Sequence, residues 1–365
     1  MQSRCGGGTG DGRMCENETA VSEQANEEAA MSTAQAAVAG RAAPHRPDAW
    51  RRIVRAAAAY AELTKLRLTS LVVTTTAVGF ALASGAGWDV RKGLATLAGT
   101  ALAAAGAMAL NQRIESARDA RMERTRLRPV PAGAIGARAA TAFGIASAGS
   151  GLALLGLAAN LLTAALGLAV VLVYTLVYTP LKARTPFCTL FGAVCGALPP
   201  MMGWSAAAGR LGFGAWLLGG LLFLWQIPHF LALAWLYRDD YRRGGFRMLP
   251  ILDPEGVLTG NVVVVYSLAL VPVGIVAALG RLTGWAFAAG ALLLGAGLVA
   301  LALRLAAERT DRPARRLFLA TLAYLPLLLG LMVADRVAPG ARGAATAVVA
   351  ASGTGGGAVA GAPSR

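Results

Sequence analysis

The chain has 365 residues, 56% of them hydrophobic and only 15% charged, with a mean hydropathy of +0.56. A soluble domain of this size cannot hide that much apolar surface, and here it comes in blocks of about 20 residues, so the class is an all-α, polytopic membrane protein. The formal charge of +15 does not indicate nucleic acid, because the basic residues sit between the apolar runs; two histidines and four dispersed cysteines exclude a Cys/His metal site or a disulfide framework.

Residues 1–50 are rich in Gly, Glu, Ala and Ser, lack apolar periodicity and read as a disordered tail without the apolar core of a secretory signal. A membrane domain over 51–339 follows, with nine candidate spans in a single bundle near 68–86, 93–111, 140–159, 161–180, 187–209, 213–236, 261–280, 283–303 and 316–334. Residues 340–365 form a second, Gly/Ala-rich tail. Counting alternate loops puts 23 Lys/Arg on the side of the N-terminus and 7 on the other, which predicts an N-in, C-out protein of the cell (inner) membrane.

Three polar patches leave the second, fourth and sixth spans, all on the side predicted to be cytoplasmic. In the first, Asn111, Glu115 and Asp119 recur every four residues and line one helical stripe. Amide and carboxylate oxygens in such a row suit a hard cation such as Mg2+, with phosphate completing its shell. Arg121, Arg124, Arg126 and Arg128 follow as counter-charge for phosphate. Spacing leaves open a plainer alternative, a helix end entering water with its acids balanced by arginines. The second patch offers Lys182 and Arg184, which equally suit positive-inside anchoring. The third contains Asp239-Asp240-Tyr241; adjacent acids on a helix point about 100° apart, so one of them can face a site, and Asp240 is the candidate. Acids at helix ends on one side argue against a transporter, whose sites lie near the midplane.

Several stretches together resemble a known family. They are Lys65-Leu-Arg-Leu-Thr69, Leu110-Asn-Gln-Arg-Ile-Glu115 with Asp119 to Pro129, Tyr178-Thr-Pro-Leu-Lys-Ala-Arg-Thr185, Gly196-Ala-Leu-Pro-Pro200, Trp225-Gln-Ile-Pro-His-Phe230, and Asp240-Tyr241 with Met248-Leu-Pro250. In this order, over roughly residues 60 to 335, they resemble the UbiA-type intramembrane aromatic prenyltransferases, in the branch that farnesylates heme. The resemblance implies two acidic motifs at a cytosolic mouth, Mg2+ as cofactor, farnesyl diphosphate as donor and heme B as acceptor. A farnesyl cation would add to a heme vinyl group, and water would complete a hydroxyethylfarnesyl substituent. By position, Asn111, Glu115 and Asp119 match the first motif and Asp240 the second, as catalytic and metal-binding residues. Arg121, Arg124, Arg128, Lys182 and Arg184 match the diphosphate-binding bases. Ser116 and Ala117 stand where the branch often carries Arg-Asp, off the stripe.

A quinone precursor or other aromatic ring is the alternative acceptor. Heme A synthase or terminal-oxidase assembly factors are possible partners beyond the lipid bilayer itself. His229, the sole histidine of the membrane region, is the candidate heme contact, through its iron or otherwise; a hydrogen bond across helices is the competing reading. Pro199-Pro200 predict a break in the fifth span, and Pro228 a loosening of the sixth.

Overall fold

The computed structural model describes residues 49–85 and 87–337. The expected tails therefore lie outside the described residues, except that Ala49 and Trp50 are helical. The packing divides at Arg55. Ahead of it the described residues are the start of α1 (Ala49–Leu63), whose arginines Arg51, Arg52 and Arg55 kept it from reading as a span. From Ala56 onward the chain forms one unit.

Nine helices among the described residues are long and apolar enough to cross a membrane: α2 (Leu66–Ala83), α3 (Val90–Asp119), α4 (Ala137–Ala158), α5 (Leu161–Leu181), α6 (Cys188–Ala208), α7 (Phe213–Leu236), α8 (Val257–Leu279), α9 (Trp285–Glu308) and α10 (Asp311–Ala334). The protein is thus a multi-pass membrane protein. Its outer shell is apolar, as lipid requires: Leu157, Leu161 and Leu293 are 90%, 81% and 75% exposed. Inside, hydroxyls such as those of Thr76 and Ser267 are buried and donate to carbonyls of their own helices.

The bundle closes through small residues. A Cβ on Gly79 of α2 would fall on the carbonyl of Pro200 in α6, and one on Gly203 would fall on the carbonyl of Thr76. These two helices touch backbone to backbone, which glycine alone permits. The seam between α3 and α4 repeats the device, with Gly106 against Gly144 and Ala148.

Two expectations about proline fail. Helix α6 runs unbroken through Pro199 and Pro200, and α7 through Pro228. Each proline removes one backbone donor, but all three are buried among neighbouring helices, and that packing holds the helical path. The irregularity falls elsewhere: Val173–Tyr178 of α5 is a π-helical turn.

Helix α3 has 30 residues. At 1.5 Å per residue it is about 45 Å long, more than the roughly 30 Å of a hydrocarbon core. It is therefore longer than one upright crossing needs, and the whole Asn–Glu–Asp stripe is helical. The ends of α3, α5 and α7 meet there. Arg118 donates to the carbonyls of Gly244 and Gly245, and the Arg247 N–H donates to the carbonyl of Lys182 at 2.7 Å.

Candidate active site

Along α3, Asn111, Glu115 and Asp119 are all buried, at 0%, 4% and 2% exposure. Each meets a polar or cationic group from another segment. Asn111 Oδ1 accepts from Lys65 Nζ at 3.2 Å, while its Nδ2 donates to Thr179 Oγ1 at 2.9 Å. Lys182 Nζ lies 2.8 Å from Glu115 Oε1, and Arg128 Nη1 donates to Asp119 Oδ2 at 2.8 Å. Buried carboxylates are tolerable only when paired in this way.

Four cations now share one end of the bundle. Burial pushes Lys182 down, but the Glu115 carboxylate outweighs it and holds the ammonium above its ordinary value. Lys65, just ahead of α2, lacks that compensation: burial, then the charges of Arg128 and Lys182, push it down to about 7. Lys65 also adopts a left-handed backbone, φ 48°, at the junction of α1 and α2. Arg124 lies over the Tyr237 ring at 4.7 Å and donates to the Tyr241 hydroxyl at 3.2 Å.

A cavity of about 330 Å³ joins these groups. Lys65, Glu115, Asp119, Arg124, Arg128 and Lys182 line it at the charged end, and Val72, Met108, Tyr174, Pro199, Trp225 and His229 line its apolar interior. Tyr174 and Tyr178, at the two ends of one π-helical turn, both face it, with ring centroids 5.3 Å apart.

The His229 ring lies between Trp225 at 4.9 Å and Phe318 at 5.0 Å, stacked on both. Its Nδ1 is 2.9 Å from Thr321 Oγ1, whose own proton goes to the Phe318 carbonyl at 2.6 Å. Since a threonine hydroxyl has one proton, Nδ1 must be the donor, and the imidazole lone pair sits on Nε2. The hydrogen bond across helices, the competing reading, is thus present, and the ring also lines the cavity.

Asp240 lies at the same end but not on the cavity wall. It is buried, and its carboxylate accepts from the N–H of Glu123 at 2.8 Å, from the N–H of Arg124 at 3.4 Å and from Arg243 at 2.8 Å. Burial raises its pKa, but donation from Arg243 and then from the two N–H groups outweighs this and holds the carboxyl below the usual range. Arg121 is exposed and donates back to the Ala117 carbonyl; Arg184 is exposed too, and neither lines the cavity.

Sequence reasoning thus missed Lys65 as a site residue, although it stands in one of the motif stretches. It also missed Thr179 and the tyrosines of the π turn, whose facing depends on a helical irregularity no periodicity reveals.

Among the described residues no three His, Cys, Asp or Glu side chains form a closed metal cage. An open half-shell suits Mg2+, which binds through one or two carboxylates and takes the rest of its octahedron from water and substrate phosphates. Glu115 and Asp119, both on the cavity wall, fit that donor set; Asn111 does not line the cavity, but its amide oxygen is turned toward Lys65, which does.

A sequence profile of the UbiA prenyltransferase family matches residues 72–322. The protoheme IX farnesyltransferase of Solibacter usitatus is 43% identical over 286 residues, covering 76% of this chain and 98% of its own. The human mitochondrial protoheme IX farnesyltransferase is 45% identical over 273 residues, 75% of this chain and 61% of its own. Among solved structures, a UbiA homologue from Archaeoglobus fulgidus bound to GPP and Mg2+ superposes with a TM-score of 0.54 at 15% identity, over 75% of this chain and 99% of that one. A structure concerned with digeranylgeranylglyceryl phosphate synthase gives a TM-score of 0.66 at 15% identity, over 77% and 98%. These last two share the fold. The chain is a prenyltransferase that belongs to the UbiA family, among the protoheme IX farnesyltransferases.

Proposed function

We propose that the chain transfers a farnesyl group from farnesyl diphosphate to the vinyl group of heme B, giving heme O, at a mouth facing the cytoplasm. One observation carries the reading: a single cavity has four cations and two carboxylates at one end and apolar and aromatic walls at the other. A diphosphate suits the first and an isoprenyl chain the second. The names of the relatives supply the acceptor, and the 23-to-7 distribution of basic residues supplies the side.

In this reading Lys65, Arg124, Arg128 and Lys182 bind the diphosphate, while the exposed Arg121 and Arg184 add to the field that draws it in. Glu115, Asp119 and Asn111 would hold Mg2+. A bound Mg2+ would supply Lewis-acid stabilisation of the charge on the departing diphosphate. Heterolysis of the allylic C–O bond leaves the electron pair on the diphosphate. Lys182 and Arg128 exchange Glu115 and Asp119 for phosphate oxygens and offset that charge at the mouth.

The allylic cation lies beyond the mouth, where Tyr174, Tyr178 and Trp225 present aromatic faces and exclude water. The vinyl carbon attacks it, and water then adds to the new cation and gives up a proton. His229 Nε2 offers its lone pair to the heme iron. Asp240, the second acidic motif, serves by holding the Glu123–Arg124 backbone so that Arg124 stays over the mouth.

The test is incubation of the purified chain, farnesyl diphosphate and Mg2+ with heme B or with 4-hydroxybenzoate, followed by mass spectrometry. Heme O is expected; a prenylated benzoate without heme O would overturn the acceptor.

A further inference from the structure

Thr179 does not itself line the cavity, yet it is 2% exposed and bonded to the 0%-exposed Asn111. Its hydroxyl donates to the Tyr174 carbonyl at 2.7 Å. That carbonyl is five residues back, and the Thr179 N–H reaches it as well, because the π-helical turn Val173–Tyr178 shifts the register. In an α-helix the hydroxyl would reach residue 175 instead. While its single proton is committed there, Thr179 Oγ1 accepts from its other neighbours. It accepts from Asn111 Nδ2, which directs Oδ1 the opposite way, to Lys65 Nζ at the mouth.

An asparagine amide can turn over at little cost unless its surroundings tell N from O. Here both sides do while Lys65 is protonated and the Thr179 proton stays on the Tyr174 carbonyl: a turned amide would then set two donors, Nδ2 and the Lys65 ammonium, against each other and set Oδ1 against the lone pairs of Thr179. Lys65 is a mobile constraint, since an arriving anion competes for its ammonium. Thr179 is a fixed one.

We propose that Thr179 is a positioning residue: through the π turn of α5 it locks the Asn111 amide with its oxygen toward the cation site. This rests on the reading of Asn111, Glu115 and Asp119 as the Mg2+ stripe. It explains why an amide can occupy the first rung at all, where a carboxylate would need no orienting partner.

The test uses the full chain in detergent, with Mn2+ binding followed by electron paramagnetic resonance in the presence of inorganic pyrophosphate. Thr179→Val and Thr179→Ala should each weaken Mn2+ binding about tenfold, the low end for partners that orient a metal ligand. Thr179→Ser, which keeps the acceptor, should bind as the native chain does. Asn111→Asp presents oxygen in either orientation, so adding Thr179→Val to it should change Mn2+ affinity by less than about twofold, within the usual limit of additivity. An equal loss with Asn111 and with Asp at that position would mean that Thr179 acts on packing, and would overturn the proposal. So would unchanged binding in Thr179→Val and Thr179→Ala. Asn111→Leu separates the two levels: if it leaves Mn2+ binding intact, the stripe itself is misread, whereas if it weakens binding and the Thr179 variants do not, only the positioning role falls. Melting of every variant confirms that folded protein is compared.

Discussion

Replacing Glu115 by Gln, Lys182 by Met, and both together separates structure from chemistry at the mouth. The two charges lie 2.8 Å apart with side-chain exposures of 13% for Lys182 and 6% for Glu115. Removing one member of a buried pair leaves the other uncompensated, a cost of about 3–5 kcal/mol in a closed interior. Here Lys182 can lose its proton and the cavity admits water, so the expected cost of either single change is about 2 kcal/mol, less than that closed-interior range. For a chain of this length that is a fall of about 2–4 °C in melting temperature. The double variant carries neither charge and should recover most of it.

Turnover should behave differently. If Glu115 holds the metal and Lys182 the diphosphate, all three variants lose activity, by about 10²–10³ for each charge-stabilising group removed. The assay is melting of detergent-purified protein, paired with heme O formation under saturating farnesyl diphosphate and Mg2+. A double variant that regained activity along with stability would refute the reasoning, because the pair would then be a structural element only.

Heme titrated into His229→Ala should give a Soret band shifted from that of the native chain, and Thr321→Val should broaden it by freeing the tautomer; identical spectra for all three would remove His229 from the heme site. Asp240→Asn should raise the KM for farnesyl diphosphate more than it lowers kcat, with faster amide exchange at Glu123 and Arg124; unchanged exchange would dismiss the anchor. The sign of its pH dependence follows from the lowered carboxyl pKa: the anchor's contribution is complete above the unfolded value of about 3.9 and fades only as pH falls through the lower folded one. Amide protection at Glu123 should therefore stay flat from pH 5 to pH 9, and a midpoint inside that range would contradict it. Gly203→Leu should prevent recovery of folded protein, since its side chain would meet the Thr76 carbonyl of α2; normal yield and melting would show that the α2–α6 contact tolerates a gap.

The span count and class were legible because lipid imposes a one-dimensional rule, about 20 apolar residues per crossing, which survives any rearrangement of the helices. The Asn111–Glu115–Asp119 stripe was legible for the same reason: three residues on one regular helix share a face whatever surrounds them. Proline was misjudged because its effect in a membrane depends on what packs around the freed carbonyls, and Pro199, Pro200 and Pro228 are all buried among neighbouring helices.

Only the tertiary structure decided which charges meet. Lys65 lies 46 residues from Asn111 along the chain, and Asp240 lies 117 from Glu123, so neither pairing is a matter of local spacing. It also separated look-alike bases, setting Lys182 and Arg128 on the cavity wall and leaving Arg121 and Arg184 exposed. Composition and periodicity act along one helix, whereas a buried charge is settled by the partners that folding brings to it, and those come from every part of the chain.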